Sequence, residues 1–343
     1  MTTARGGATS PRLAIVGAGS LGQAFAGLLA LSGQPVTLLG TPTGTERLRA
    51  QGQLRLRGQR SADIPVAPPP APAGTVGLTS DPAELPASAG LIFLTKGQQL
   101  ASALATVQAA WPAAGDRAAW VAGFQNGLAK DDMLAAAFGP DRVVGGVTIL
   151  GGQREDDGTV AITSLGHSYL GELGGGVSDR AQAGAQALAS AGIPADATAD
   201  IQSVLWSKAA NAAGVFGVSV LCRVSAPRLF ASPDLMRAYL ALVREVVDLA
   251  EVSGVQVGDY AGFPIRTYAG RPEEDTIAAL AARPPLPPVS GKESMPSMTQ
   301  DLLAGRSLEV EQVFGDLVRR ADSAQRPAPH LRLVTHLLRG LSP

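Results

Sequence analysis

Leu13-Ala-Ile-Val-Gly17-Ala18-Gly19-Ser20-Leu21-Gly22 is a short apolar run ending in three glycines spaced G-x-G-x-x-G, and a helix-like segment, Gln23 to Ser32, follows it. Strand, glycines and helix in that order are what a dinucleotide-binding turn needs. Gly17 permits the tight turn out of the strand, Gly19 lets backbone approach a pyrophosphate, and Gly22 lets the helix pack on the strand. With Ala18, Ser20 and Leu21 completing the turn, the helix N-terminus offers N–H groups and a positive dipole end to the phosphates. Spacing alone says little in a chain with 41 glycines. A second strand pattern, Val36-Thr-Leu-Leu39, ending beside Gly40 strengthens the reading over that of a purely structural turn.

The tip of that second strand bears on cofactor identity. An NAD site usually carries Asp or Glu there for the ribose 2′-hydroxyl. Here the chain reads Gly40-Thr-Pro-Thr-Gly-Thr-Glu-Arg47, with no carboxylate at the tip. Thr41, Thr43 and Arg47 suit a 2′-phosphate instead, Arg47 by a charge-assisted contact. Arg47 and Arg49 read equally well as solvated helix charges. NADP(H) is favoured over NAD(H).

The chain has 343 residues, enough for two domains that each bury a core. Its net charge is −1 with no dense basic patch, which argues against a nucleic-acid partner. A single cysteine, Cys222, excludes an internal disulfide and points to a reducing compartment. Met1 to Pro11 is polar and lacks a signal-peptide hydrophobic region. No apolar run reaches the ~18 residues of a membrane span. A soluble, cytoplasmic protein without a membrane partner is expected. Three histidines without metal-ligand spacing give no reason to expect a metal site.

Residue usage is more pointed. Of 28 basic residues only four are lysine: Lys96, Lys130, Lys208 and Lys292. Arginine stays protonated, whereas a buried lysine can lower its pKa and exchange a proton. Asparagine is rarer still, at Asn126 and Asn211 alone.

Along the chain, Gln53-Leu-Arg-Leu-Arg57 alternates like an exposed strand, and Val66 to Gly74 reads as a proline-alanine loop. Gly90 to Thr95 and Ala119 to Phe124 are buried-strand patterns, followed by Lys96 and by Gln125-Asn126-Gly127. Ligands of doubly wound sheets lie beyond the carboxyl ends of the strands, so Lys96 and Asn126 fall on the cofactor side. Asn-Gly is also a strong turn dipeptide and Lys96 also reads as a surface charge. Arg142 to Leu150 and Gly158 to Thr163 look like further strands, and His167 lies in a glycine-rich turn. From about Asp200 the period becomes helical: Ile201 to Val220, Ser232 to Ser253, Ser297 to Leu303, Glu309 to Asp322 and Pro329 to Leu341, interrupted by a proline-rich connector, Arg283 to Ser290. The predicted class is α/β: an N-terminal Rossmann-like doubly wound domain, residues 1–198, then an all-helical domain, residues 199–343, with the site in the cleft between.

Leu205-Trp206-Ser-Lys208-Ala-Ala-Asn211 and Ser297-Met298-Thr-Gln300-Asp301…Glu309, taken with the glycine turn, Lys96 and Asn126-Gly127, resemble the ketopantoate reductases (2-dehydropantoate 2-reductases). The likeness runs from Leu13 to Gly340. It implies a Rossmann-like NADPH domain and a helical domain that brings substrate groups over the nicotinamide. Carried over by position, Lys208 matches the catalytic lysine and Ser297 the serine that holds the substrate carboxylate. Glu309 matches the acidic residue close to the substrate, and Asn126 and Lys96 match residues contacting the cofactor and the reacting end of the substrate. An alternative for Ser297 is a helix N-cap, and for Glu309 a surface helix charge.

Hydride addition to a 2-oxo acid leaves an alkoxide that needs a proton and a nearby positive charge, which one lysine supplies; such general acid help is worth ~10²–10⁴-fold. Glu309, if close, would pair with Lys208 and keep it protonated. One departure stands out. The family usually places asparagines four and eight residues after its lysine; here Asn211 is three residues on, and Ala212 and Phe216 hold the expected places. Positions three and four along neighbour the same helical residue, so Asn211 is a substitute for the first amide. The second has none, and a lost hydrogen bond to a polar or charged substrate costs ~1.5–3 kcal/mol. The resemblance implies NADPH-dependent reduction of ketopantoate, and with it pantothenate synthesis. A same-fold reductase for another 2-oxo acid with a bulkier tail, or a non-catalytic NADP-binding sensor, are the alternatives. A homodimer is compatible with the sequence, which does not set subunit number.

Overall fold

The computed structural model describes residues 12–111, 118–283, 293 and 295–341. The polar N-terminal segment, Lys292 and nearly all of the proline-rich connector lie outside those residues.

The first half carries β1 (Leu13–Val16), α1 (Ser20–Leu31), β2 (Val36–Leu39), α2 (Pro42–Gln51), β3 (Gln53–Gly58), β4 (Ala62–Ala67), β5 (Val76–Thr79) and β6 (Ala89–Phe93). It continues with α3 (Leu100–Ala110), β7 (Ala118–Gly123), α4 (Ala129–Phe138), β8 (Val144–Thr148), β9 (Gly151–Arg154), β10 (Val160–Ser164), β11 (Ser168–Glu172), α5 (Asp179–Ser190) and β12 (Ala195–Ala197). Nine strands form one sheet in the order β7-β6-β1-β2-β5-β4-β3-β10-β9, and β12-β11-β8 form a second. β1 pairs in parallel with β2 on one side and β6 on the other, so the winding reverses at its carboxyl end, just where the glycines lie. All four β1 residues are buried, as expected of a strand covered on both faces.

α1 begins at Ser20, three residues before the helix expected from the sequence, because Gly19 itself is the N-cap. The sheet curls around this helix. A Cβ on Gly27 would lie 2.9 Å from Leu56 on β3 and 3.2 Å from Ile64 on β4, and one on Gly152 of β9 would lie 3.6 Å from Ser20. Only a small residue lets three parts of the sheet reach one helix. The expected loop 66–74 in fact opens with the end of β4, and β5 follows it; both are too short and too glycine- or proline-marked to show a period.

In the second half α6 (Ile201–Cys222) is central, capped by Asp200, whose carboxylate accepts from Ser203 N at 3.0 Å, and ended by Arg223 in the left-handed region. By length and composition α6 would suffice to cross a membrane, but most of it is buried inside the protein. It packs against α8 (Pro233–Val252), which follows the single turn α7 (Ala226–Leu229). The helical half also contains a two-residue hairpin, β13 (Asp259–Tyr260) with β14 (Phe263–Pro264), and helices α9 (Ile265–Gly270) and α10 (Glu273–Ala281). Then come α11 (Ser297–Leu303), a π-helical turn at Glu311–Gly315, α12 (Asp316–Ser323) and α13 (Pro329–Leu341). The helix expected over 309–322 therefore begins at Val310, after irregular chain over 306–309, and opens with one widened π-helical turn.

Candidate active site

The glycine turn has the shape a dinucleotide needs. Gly17 has φ +115°, and a Cβ there would lie 2.8 Å from Thr95 N. A Cβ on Gly22 would lie 1.8 Å from Gly17 O, whereas nothing lies within 4 Å of one on Gly19. The turn is thus closed toward the protein and open at Gly19. No side chain caps α1, so its first-turn N–H groups are left to an anion. Leu21 sits beside β9 and Ala18 beside Gly40. These residues fit the phosphates of a nicotinamide dinucleotide. At the tip of β2, Thr41 caps α2 by accepting from Gly44 N at 3.2 Å, and Arg47 is exposed without a carboxylate partner among the described residues.

Lys208 lies on α6 and lines a cavity of about 10 Å³. Across from it are Phe124, Gln125 and Gly127 at the carboxyl end of β7, Lys130 on α4, and Gly146, Val147 and Thr148 on β8. The volume suits about one water, so it marks the lysine's end of a cleft rather than room for a whole substrate. Lys208 has no hydrogen-bond or ion-pair partner among the described residues. Desolvation by its apolar walls pushes its pKa down to about 8. Contacts lead from this cavity to the glycine turn. Gln125 Nε2 donates to Phe93 O (3.1 Å) and Thr95 Oγ1 (3.4 Å), and Thr95 is the residue packed against Gly17. The free ammonium and the glycine turn therefore share one edge of the sheet. Asn126 is half-buried between Gln125 and Gly127, its side chain unpartnered among the described residues.

Glu309 does not pair with Lys208, contrary to expectation. Its buried carboxylate accepts from Gly97 N at 2.6 Å and lies 3.9 Å from Lys96 Nζ. Burial raises its pKa, opposed by the Lys96 charge and the Gly97 N–H. Lys96 in turn donates to Asp301 Oδ2 at 2.6 Å, and Asp301 also holds Arg306 at 2.9 Å. Lys96 follows β6 in the first half; Asp301, Arg306 and Glu309 belong to the second. The seam therefore pairs a charge network with an apolar contact, in which Leu128 and Val147 of the first half join the core of the helical half.

Asn211 Oδ1 accepts from Tyr239 OH at 3.0 Å. Its NH₂ group is left without a partner among the described residues. Ser297 opens α11, half-buried, and makes no cap hydrogen bond; Pro296 occupies the N-cap position. The neighbouring Thr299 bonds Ser219 of α6 at 2.8 Å and so ties α11 to the central helix.

Three site residues had no role from the sequence. Asp301 lay inside a quoted motif, but its partners are hundreds of positions away or beyond a turn. Lys130 was visible only as one of few lysines; it is buried and donates to both Asp131 oxygens at 2.8 and 2.7 Å. Gln125 precedes Asn126, and its buried Oε1 has no partner among the described residues. Among the described residues no group of His, Cys, Asp or Glu is arranged to hold a metal.

Fold and site together define an oxidoreductase with a Rossmann-type nucleotide domain and a helical domain closing over it. Comparison with known sequences makes this specific. The profile described as Ketopantoate reductase PanE/ApbA matches residues 13–175, and that described as Ketopantoate reductase PanE/ApbA C terminal matches residues 200–342. The chain belongs to the ketopantoate reductase family. A 2-dehydropantoate 2-reductase of Archaeoglobus fulgidus is 28% identical over 330 residues, covering 96% of this chain and 97% of that one. Among solved structures, 2-dehydropantoate 2-reductase from Geobacter metallireducens GS-15 superposes with a TM-score of 0.78 at 23% identity, over 96% and 100% of the two chains. D-mandelate dehydrogenase in complex with NADH and anilino(oxo)acetate gives 0.77 at 20% identity, over 96% and 98%. At these identities the structural matches speak to fold.

Proposed function

We propose that the protein reduces 2-dehydropantoate to pantoate with NADPH, in pantothenate synthesis, with Lys208 as general acid. The observation that carries this reading is the unpaired Lys208 ammonium lining a cavity at the carboxyl end of β7. It stands on the same sheet edge as the glycine turn. The cofactor supplies the hydride to the 2-oxo carbon. Lys208 Nζ gives its proton to the carbonyl oxygen as charge develops there, and its positive charge steadies the oxygen before transfer. A pKa near 8 suits this, since the group is protonated at neutral pH yet gives the proton up readily. Ser297 and the free NH₂ of Asn211 hold the substrate carboxylate and polar tail, and Asn126 and Lys96 border the cofactor. Glu309 acts through Lys96 and Gly97, fixing the loop after β6, rather than on Lys208. The nucleotide domain extends to about residue 198 and the helical domain carries the acid.

The absence of a carboxylate at the end of β2 and the position of Arg47 support NADPH over NADH. A second reading keeps the chemistry and changes the acid. It rests on Phe216, buried on α6 eight residues after Lys208, where the family resemblance implies an asparagine; its ring favours a bulkier apolar tail. D-mandelate dehydrogenase, solved with NADH and anilino(oxo)acetate, shares the fold, which supports a reading with an aryl-bearing 2-oxo acid. Loss of NADPH absorbance with a panel of 2-oxo acids tests both. Turnover of 2-dehydropantoate that collapses in Lys208→Ala supports the first, activity confined to other acids selects the second, and tight NADPH binding without any turnover refutes both.

A further inference from the structure

Along the middle of α6, from Ser203 to Val220, every residue is buried except Lys208, Asn211 and Val215. Spacings of three and four put these on one face of the helix. The central helix therefore opens along a single stripe, and that stripe starts at the proposed acid. Asn211 stands about one turn from Lys208, roughly 4.5 Å further along the helix axis.

What Asn211 shows to that stripe is decided from behind. Tyr239 on α8 is fully buried, and its hydroxyl donates to Asn211 Oδ1 at 3.0 Å. A Cβ on Gly214 would lie 2.5 Å from Tyr239 Cδ2 and 2.7 Å from Cε2, so the ring fills the notch this glycine leaves on α6. Phe230 packs on the same ring edge-on, with centroids 5.4 Å apart. These contacts hold the ring, and with it the hydroxyl, in one place. Burial pushes the Tyr239 pKa up, so the O–H keeps its proton and stays a donor. No other group among the described residues accepts that proton, and a buried O–H without an acceptor is costly. Asn211 therefore turns its oxygen to Tyr239 and leaves its NH₂ for the cleft.

We propose that Tyr239 is a positioning residue for the reduction: by holding Asn211 Oδ1 it aims the amide NH₂ at an acceptor oxygen of the 2-oxo acid, one helical turn from the reacting carbonyl. This rests on the reductase reading and deepens it, adding a buried hydroxyl that makes the site a donor rather than an acceptor at that point. The acceptor is either the substrate carboxylate or a hydroxyl on its tail.

The test measures KM and kcat of the full-length protein with NADPH for two acids: 2-dehydropantoate, and trimethylpyruvate, which keeps the carbon frame but lacks the tail hydroxyl. The variants are Tyr239→Phe, Asn211→Ala, the two combined, and Asn211→Asp, with melting temperatures recorded for each. Tyr239→Phe should raise KM about 3- to 10-fold while kcat and its fall near pH 8 stay as in wild type. In the Asn211→Ala background the same change should add less than about 2-fold, because Tyr239 acts through the amide. Asn211→Asp keeps the bond from Tyr239 but shows the substrate an anionic oxygen, so its KM should exceed that of Asn211→Ala. A rise with both acids assigns the acceptor to the carboxylate, and a rise confined to 2-dehydropantoate assigns it to the hydroxyl. An unchanged KM in Tyr239→Phe, an equal rise with and without Asn211, or a wild-type KM in Asn211→Asp would overturn the role and leave the reductase reading intact. A wild type that reduces neither acid removes the 2-dehydropantoate reading, and this role with it.

Discussion

Lys208 is the only lysine among the described residues without a carboxylate within reach, and burial holds its pKa near 8. Two outcomes follow from that shift. With Lys208 as the proposed acid, reduction needs its charged form, so kcat for the 2-oxo acid should fall as pH rises through about 8, while oxidation of the hydroxy acid should rise over the same interval. A flat profile from pH 6 to 10 would remove Lys208 as the acid. Lys208→Arg should keep the charge yet lose ~10²–10⁴-fold in kcat, because arginine does not readily yield its proton. The same burial opposes folding. Below pH 8 both folded and unfolded chains carry the charge, and the folded one bears its full desolvation. Between 8 and 10.5 only the unfolded chain stays charged, so the cost fades with rising pH. Lys208→Met should therefore be inactive but raise Tm near neutral pH, by roughly 2–4 °C per kcal/mol gained, with the gain shrinking above pH 8. At Phe216, the Asn substitution restores the missing amide; kcat/KM for 2-dehydropantoate should rise about 10-fold if a buried polar contact was the deficit. Lys208 could be singled out in the sequence because lysine is scarce and Trp206 precedes it. The partner of Glu309 could not, since Gly97 and Lys96 meet it across more than 200 positions.

Among the elements, the turn between β1 and α1 and the loop after β7 are set by backbone approach. Gly127 has φ +89°, and a Cβ there would lie 2.0 Å from Gln312 O in the π-helical turn. Gly127→Ala thus combines left-handed strain with a backbone clash, and should cost about 1–3 kcal/mol or more while displacing Asn126 and Gln125. Thermal melting and nucleotide titration read the two effects separately, and an unchanged Tm would show that the seam yields freely. The glycine turn was legible because strand, glycines and helix are contiguous in sequence. The π-helical turn was not: its pattern of apolar residues is that of any α-helix, and nothing in it marks the close approach of Gly127 to the Gln312 carbonyl.

Across the whole molecule, the halves are joined by Lys96 to Asp301, Gly97 N to Glu309 and Gln98 to the Ser307 carbonyl. Asp301 is buried and serves two cations, whereas Lys96 keeps 40% of its side chain exposed, so solvent screens part of the pair. Asp301→Asn should accordingly cost only about 1–3 kcal/mol rather than the larger loss of a fully buried pair. It should also weaken nucleotide binding, because Lys96 loses the partner that fixes the loop after β6 against the helical half. If Tm and Kd both stay at wild-type values, this network is not what holds the cleft in register.

By itself the sequence determined what depends on neighbours along the chain: the β1 turn, the change from strand-like to helical period near residue 200, and the scarcity that marks Lys208. Those features are local, written in steric freedom, periodicity and residue chemistry. Tertiary structure alone decided which charges meet. It turned Glu309 toward Gly97, set Asp301 between Lys96 and Arg306, buried Lys130 against Asp131, and brought Gly152 on an edge strand to the start of α1. Such contacts form only when the sheet curls around its first helix and the second domain closes on it, and no spacing within the chain encodes that distance.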